Sequence, residues 1–425
     1  MTVIALPNAP EGLDLEDFVA ALFICAQFYI EKSVEEQNVL ELDILATSYS
    51  ADLPDKRLVE VKGTLPHLKD AFKVLGWMTY LKYDKGMLVV SKQPEEHDLA
   101  FLTTKCDEMN IQLIVVPDVE HAADVFEAAG FNRPEELAVE IWRFSFWVER
   151  RMIESLRKLA SENPDMRAPR EALSYYKLIN HRVSLTSDPI ERVTQLYEAY
   201  KEHPRLTAGA ALELEGGEFD PVTPGNPKSI GDAIYKGQHP ILHACMFLEW
   251  KARMSILKAA VDYLCHRAAE PPPEPGKIRV DFGLVDLPTS FLNGLEAIAK
   301  LPEMNRYPLF WQIFLGAWGG FILGDHEEKD IENLAAQSGI AVENVPHALS
   351  AMDLLFPLED GWIAGTSTAN YRVTKMMPWG LEGIGAFHRR VRYECEEFDE
   401  LATTGRYTAH DLAKWNNYGV ALLKE

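Results

Sequence analysis

Two apolar runs constrain this chain more than any other stretch: Val39-Leu-Glu-Leu-Asp-Ile-Leu-Ala46 and Arg57-Leu-Val-Glu-Val-Lys-Gly63. Both are short, rich in aliphatic and β-branched residues, and separated by the turn-forming Ala51-Asp-Leu-Pro-Asp55, which is the signature of two consecutive strands. Side chains alternate along a strand, so Glu60 and Lys62 share one face of the second strand while Leu58, Val59 and Val61 supply burial. Asp43 lies within the first strand. Two carboxylates and an ammonium on neighbouring strands are a set that can hold a hard divalent cation and an attacking water.

The surrounding sequence continues an α/β rhythm. An acidic first turn at Asp14 opens a predicted helix over Leu13–Lys32. Strands follow at Val39–Thr47 and Arg57–Lys62, then a helix over His67–Tyr83 with Leu68, Phe72, Leu75, Tyr80 and Leu81 roughly on one face. A strand at Gly86–Ser91, a helix at Asp98–Met109 and a strand at Ile111–Val116 complete the pattern. The order αββαβαβ predicts one mixed sheet flanked by helices within residues 1–120.

Residues 121–269 lose the short apolar strands and read as a helical domain, with helices at Leu137–Ala160, Arg170–Asn180, Pro189–Glu202 and Pro240–Ala268. The Gly/Pro-rich stretch Glu215–Pro227 interrupts them. The run Glu270-Pro-Pro-Pro-Glu-Pro-Gly276 is the strongest linker candidate and sets off a third part, residues 277–425. There Tyr307–Leu323 is apolar over 17 residues, short of the roughly 20 that span a bilayer, so it reads as a buried core helix. Helices at Asp330–Gln337 and Val342–Phe356 flank a Ser338-Gly339 turn. Short strands at Trp362-Ile-Ala and Tyr371–Lys375 then complete the order of a winged helix-turn-helix over about residues 307–378. Its second helix carries Glu343, Asn344, His347, Ser350 and Asp353 but neither Arg nor Lys, whereas a helix reading a major groove wants Arg, Lys, Asn or Gln on its leading face. That leaves two uses open, packing against protein or contacting DNA through Arg372 and Lys375.

Charge narrows the function classes. With 42 Lys+Arg against 65 Asp+Glu the formal charge is −23, which argues against indiscriminate coating of nucleic acid or anionic membrane. A metal ion or a local basic surface can still supply a positive field. The most basic segment is Ile141–Arg205, with 12 Lys+Arg and 9 Asp+Glu. It reads either as the flank of a nucleic-acid channel, with Trp142, Trp147, Tyr175 and Tyr176 interleaved, or as a solvated helical face of Glu–Arg pairs. His388-Arg-Arg390 with Arg392 is a smaller patch open to the same two readings. Five scattered cysteines with no metal-binding or redox spacing fit reduced thiols in a cytoplasmic protein. The first residues lack the features of a signal peptide, and no Walker A or Gly-x-Ser-x-Gly motif is present.

The order Glu16, then Asp43 within Glu41-Leu-Asp-Ile44, then Glu60-Val-Lys62 resembles the PD-(D/E)xK restriction-endonuclease-like superfamily, over about the first 120 residues. The branches it is most similar to are Holliday-junction resolvases, Mrr-type restriction enzymes and CRISPR-ancillary nucleases. The resemblance implies a restriction-endonuclease-like sheet and a nuclease using Mg²⁺ or Mn²⁺. By that resemblance Asp43, Glu60 and Glu16 hold the metal and Lys62 assists the water and the transition state. It implies nucleic acid as partner, DNA favoured, in prokaryotic defence or DNA processing. Partner proteins of a defence system fit the helical part, and a homodimer fits a substrate with two strands; no membrane role is implied. Leu42 stands where the superfamily's name has Pro, as in its Glu-Leu-Asp branch. The alternative reading is an inactive nuclease-like scaffold, in which Asp43, Glu60 and Lys62 form a structural ion pair and the domain binds a partner protein or nucleic acid.

Overall fold

In the computed structural model the described residues are 8–36, 40–180, 188–202, 240–271, 284, 286–356, 371–373, 389 and 393. The N-terminal part is an α/β unit. Helix α1 (Leu13–Cys25) leads into strands β1 (Phe28–Glu36), β2 (Leu40–Ser48) and β3 (Asp55–Lys62). Helix α2 (Leu68–Leu81), β4 (Lys85–Val90), α3 (Glu96–Asp107), β5 (Ile111–Val115) and α4 (Ala122–Ala128) follow. The five strands lie in the order β1-β2-β3-β4-β5. The first three form an antiparallel meander, and β3, β4 and β5 are parallel through the α2 and α3 crossovers. This is the expected mixed sheet flanked by helices, with one strand more than the sequence pattern gave.

That strand corrects the helix expected over Leu13–Lys32. The helix stops at Cys25, Gln27 turns the chain with a φ of 69°, and Phe28–Glu36 runs on as β1. Phe28-Tyr29-Ile30 are the aromatic and β-branched residues a strand favours. The reversal rests on a left-handed Gln, without the Gly, Asn or Pro that normally marks such a stop. A second correction concerns α2. Its buried residues are Ala71, Val74, Met78 and Leu81, spaced three and four apart, whereas Phe72 and Tyr80 are exposed. Gly86 is required where this helix crosses β4, since a Cβ there would stand 2.6 Å from the Met78 sulfur and 2.7 Å from Val74 Cγ1.

The later part is helical: α5 (Glu136–Glu162), α6 (Ala168–Ile179), α7 (Pro189–Glu202), α8 (Pro240–Ala269), α9 (Thr289–Ile298), α10 (Tyr307–Gly316), α11 (Glu327–Ser338) and α12 (Val345–Leu355). The apolar run Tyr307–Leu323 is one helix only as far as Gly316. Gly319 and Gly320 both take left-handed conformations, and Phe321–Leu323 becomes strand β6, paired antiparallel with β7 (Tyr371–Val373). The helix ending at Ser338 and the one starting at Val345 are joined through Gly339, φ 71°, and a short 3-10 turn. The Trp362 strand and Lys375 lie outside the described residues. No helix among the described residues is long and apolar enough to cross a membrane.

One buried apolar core runs from Leu15 on α1 through α5, α8 and α10 to Phe356 after α12. Helix α1 is enclosed by it, with Phe18 to Ile24 buried without interruption. A second, smaller core lies between the opposite face of the sheet and α2, where Leu58, Leu88 and Val90 meet Ala71, Val74 and Met78. Strand β1 closes against α10, because the Gln312 amide both accepts from the Ile30 N–H at 2.9 Å and donates to the Ile30 carbonyl at 2.8 Å.

Candidate active site

Asp43 sits where the sheet departs from regularity. The β2–β3 ladder runs from Ser48↔Asp55 to Ile44↔Val59; continued by one step, it sets Asp43 directly across from Glu60. The next rung is replaced by a side-chain contact, the Val61 N–H donating to Asp43 Oδ2 at 2.8 Å. On the other flank the β1–β2 pairs run Lys32↔Ile44 and then Val34↔Leu42, passing over Ser33, which is left-handed at φ 49°. The faces shift at the same row. Ile44 belongs to the large core, while Leu42 and Val34 join the smaller one, although strict alternation would keep Leu42 with Ile44. Opposed residues of an antiparallel pair project to one face, so this distorted row presents both carboxylates together.

Glu60 is almost fully buried, 1% exposed, on the sheet face that α2 covers. Its Oε1 accepts from Lys62 Nζ at 2.5 Å and from Lys73 Nζ at 2.6 Å. Burial works against the Lys62 ammonium, but the hydrogen bond and charge of Glu60 outweigh it and hold its pKa above the usual lysine value. Asp43 is pushed up to about 7, first by burial and then by the negative charge of Glu60, against the Val61 hydrogen bond that favours the carboxylate. Glu16 comes from α1, on the opposite layer, at the end of the sheet where Leu15 reaches Gly63. Its pKa is raised by burial, opposed by Lys32 and reinforced by Glu41 and Glu60. Beside it the buried Asp17 pairs with Lys32 and lies 2.7 Å from Arg150 Nε.

Asp43, Glu60 and Lys62 are thus brought together at the end of β3 and the broken row of β2, whereas Glu16, on α1, feels the charge of Glu60 without joining them: among the described residues no three carboxylates converge on one ion position. Lys73, outside the motif residues, is a direct partner of Glu60. Its place on α2, five residues after Leu68, was the available signal. Asp17, Lys32 and Arg150 carried none, since the first two lie on elements that the sequence pattern runs together as one helix and Arg150 comes from α5.

The donor set suits a hard cation of the Mg²⁺ class. Such ions bind through one or two carboxylates and keep several waters, and Asp43 and Glu60 supply two facing carboxylates whose mutual repulsion a cation relieves.

Several of the described basic residues of segment 141–205 are committed to internal pairs. Arg143 bonds Glu140, Arg150 bonds Asp14, Arg151 lies 2.9 Å from Glu154 and Arg167 lies 2.8 Å from Glu171. Trp142, Trp147 and Tyr175 are buried in the large core, so they offer no stacking surface. Arg389, from the patch His388–Arg390, is likewise internal. It bonds Asp330 at 2.5 Å and the Phe321 carbonyl at 3.0 Å, with its guanidinium over Trp318.

No family model, no curated protein and no solved structure matches the chain.

Proposed function

We propose that the protein is a metal-dependent nuclease that hydrolyses phosphodiester bonds of nucleic acid, DNA favoured, with Asp43 and Glu60 as metal ligands, Glu16 supporting them and Lys62 assisting. The observation that carries this reading is the broken row of β2 and β3. There two carboxylates face one another across adjacent strands, one of them at a pKa of about 7, with an ammonium 2.5 Å from the other. Sheets keep such irregularity where a side chain must be aimed, because the lost rungs and the left-handed Ser33 carry a cost.

Asp43 is fixed by the Val61 N–H, which holds one of its oxygens. Glu60 is fixed by its burial and by two ammonium groups. Mg²⁺ or Mn²⁺ bound here supplies an acidified water and neutralises charge developing on phosphorus. Lys62, 29% exposed on its side chain, can reach a phosphate oxygen in solvent while still anchored to Glu60, so it donates to the negative transition state. Lys73 offers a second ammonium on the same side.

Substituting Asp43, Glu60 or Lys62 by Ala tests the reading in a plasmid-cleavage assay with Mg²⁺ or Mn²⁺, circular dichroism verifying the fold. Each variant is expected to lose cleavage by about 10²-fold or more, the usual scale for removing a transition-state donor or a ligand. Undiminished cleavage by Lys62→Ala would sink the mechanism.

A second reading has its own observation. The two lysines that bond Glu60 already neutralise it, and such a closed ion cluster is what an inactive scaffold would keep. That reading expects no metal-dependent cleavage of plasmid, single strand or RNA, and no change in thermal midpoint on adding Mn²⁺. For the C-terminal part we read α10, β6, α11, α12 and β7 as a winged-helix-like module that packs against protein. Its second helix carries neither Arg nor Lys, and Trp311 on α10 is tied into it by an indole hydrogen bond to the Ala348 carbonyl at 2.8 Å. Docking of a partner protein, within a defence or DNA-processing system, is its proposed role.

A further inference from the structure

A second concavity lies at the other end of the sheet. Arg57 is at the start of β3 and Lys62 at its end, so about 17 Å of extended chain separates them at roughly 3.3 Å per residue. The cavity there has a volume of about 320 Å³, at the small end of the roughly 300–1,000 Å³ that ligand sites occupy. Its walls come from three places. The ends of β1, β2 and β3 supply one side, the turn after α4 the second, and Arg306, Leu309 and Ser338 from the helical part the third.

In a chain of net charge −23 the lining holds two arginines, Arg57 and Arg306, and no Asp or Glu. Both guanidinium groups are held in place from behind. Arg57 Nε and Nη2 donate to Asp55 Oδ2 at 3.2 and 2.9 Å, and its plane lies over the Phe28 ring. Arg306 Nη1 donates to the Gly339 carbonyl at 2.8 Å. A guanidinium has five N–H donors, so each keeps donors for a ligand. The hydroxyls of Ser48 and Ser50, 3.0 Å apart, add short polar arms, and the half-buried Phe131 adds an aromatic wall.

We propose that this cavity binds a mononucleotide, its phosphate held between Arg57 and Arg306 and its base against Phe131. Paired guanidiniums match phosphate through forked hydrogen bonds. A planar ring lies well on an aromatic face, and the volume admits one nucleotide and not an oligonucleotide. The ligand touches strands β2 and β3 and the helical part at once, so binding ties these together and raises the thermal midpoint. This assignment is independent of the nuclease reading.

The test uses the full chain with three probes, AMP, inorganic phosphate and adenosine, by calorimetric titration and thermal unfolding. AMP is expected to bind saturably and to raise the midpoint, with phosphate and adenosine each weaker by about tenfold or more, because each carries one half of the recognition. Ser50 and Asn132 are exposed on the lining, so Ser50→Glu and Asn132→Glu place a negative charge there without burying it. Each is expected to weaken AMP by about tenfold through like-charge repulsion with the ligand-free midpoint unchanged. Lys62→Ala is expected to bind AMP as the parent does. Absence of AMP binding at millimolar concentration, equal affinity for phosphate and AMP, or affinity unmoved by both carboxylate variants would each overturn the assignment.

Discussion

Asp43 is held against its own charge. Burial and Glu60 raise its pKa to about 7, above the roughly 3.9 of an unfolded chain. For a carboxyl group raised on folding, the folded state binds more protons between those values, so stability falls as pH climbs from about 4 to 7. Asn at this position keeps an oxygen for the Val61 N–H and removes the charge. Asp43→Asn is therefore expected to be more stable than the parent by about 1–2 kcal/mol at pH 8 in EDTA, allowing for partial solvent access. The gap should close toward pH 4, as thermal unfolding across pH would show. Ser33 across the same row is the other strained residue. Ser33→Gly should leave the midpoint level or higher, since Gly accepts a φ of 49° without steric cost. Ser33→Val should cost about 2 kcal/mol. Nothing in the sequence marks Ser33, because its conformation is imposed by the neighbouring strand.

At the scale of elements, a buried cluster joins the sheet to two helices. Asp262 on α8 bonds Lys258 at 2.8 Å and accepts from the Tyr49 hydroxyl at 2.5 Å, with Arg192 of α7 at 3.6 Å and Lys56 of β3 at 3.8 Å. Arg192 also bonds Glu31 of β1. Burial alone would raise both carboxyl groups, but the three cations hold Asp262 well below the usual carboxylate range and Glu31 below it too. A depressed carboxyl group stabilises above its unfolded pKa and loses that contribution as pH falls through the folded one. The stability these two carboxyl groups contribute is thus intact at neutral pH and is lost below about pH 4, a window separate from that of Asp43. Asp262→Ala leaves buried cations uncompensated and is expected to cost about 3–5 kcal/mol, measured by urea unfolding at pH 7.

The same contrast separates what the sequence discloses from what it hides. Asp43, Glu60 and Lys62 are legible because strand alternation and a short connection put them together, and the α2, β4, α3 and β5 order is legible from local periodicity. The Tyr49–Asp262 contact spans 213 residues, and no local pattern announces it. The extra strand β1 was hidden for another reason. Its residues continue the apolar content of α1, and only the left-handed Gln27 divides them.

On the scale of the whole molecule, the shared core sets what can be removed. Helix α1 is buried between the sheet and α5, and the core it belongs to reaches Phe356. A fragment ending at residue 120 would expose Phe18, Phe23 and their neighbours to water. It is expected to lack cooperative unfolding by calorimetry, even though it contains every strand of the sheet and all four candidate catalytic residues.

Gln312 bears on how copies of this protein meet. By standing in for a neighbouring backbone at Ile30, it seals one side of the sheet against recruitment of a further strand from another chain, a known route to fibres and swapped dimers. Gln312→Leu would leave the Ile30 N–H and carbonyl unpaired, with an expected loss of about 2 kcal/mol and, by light scattering, more self-association than the parent. In the parent the backbone at Ile30 is already spoken for, so one glutamine guards this margin of the sheet against strand addition at that point.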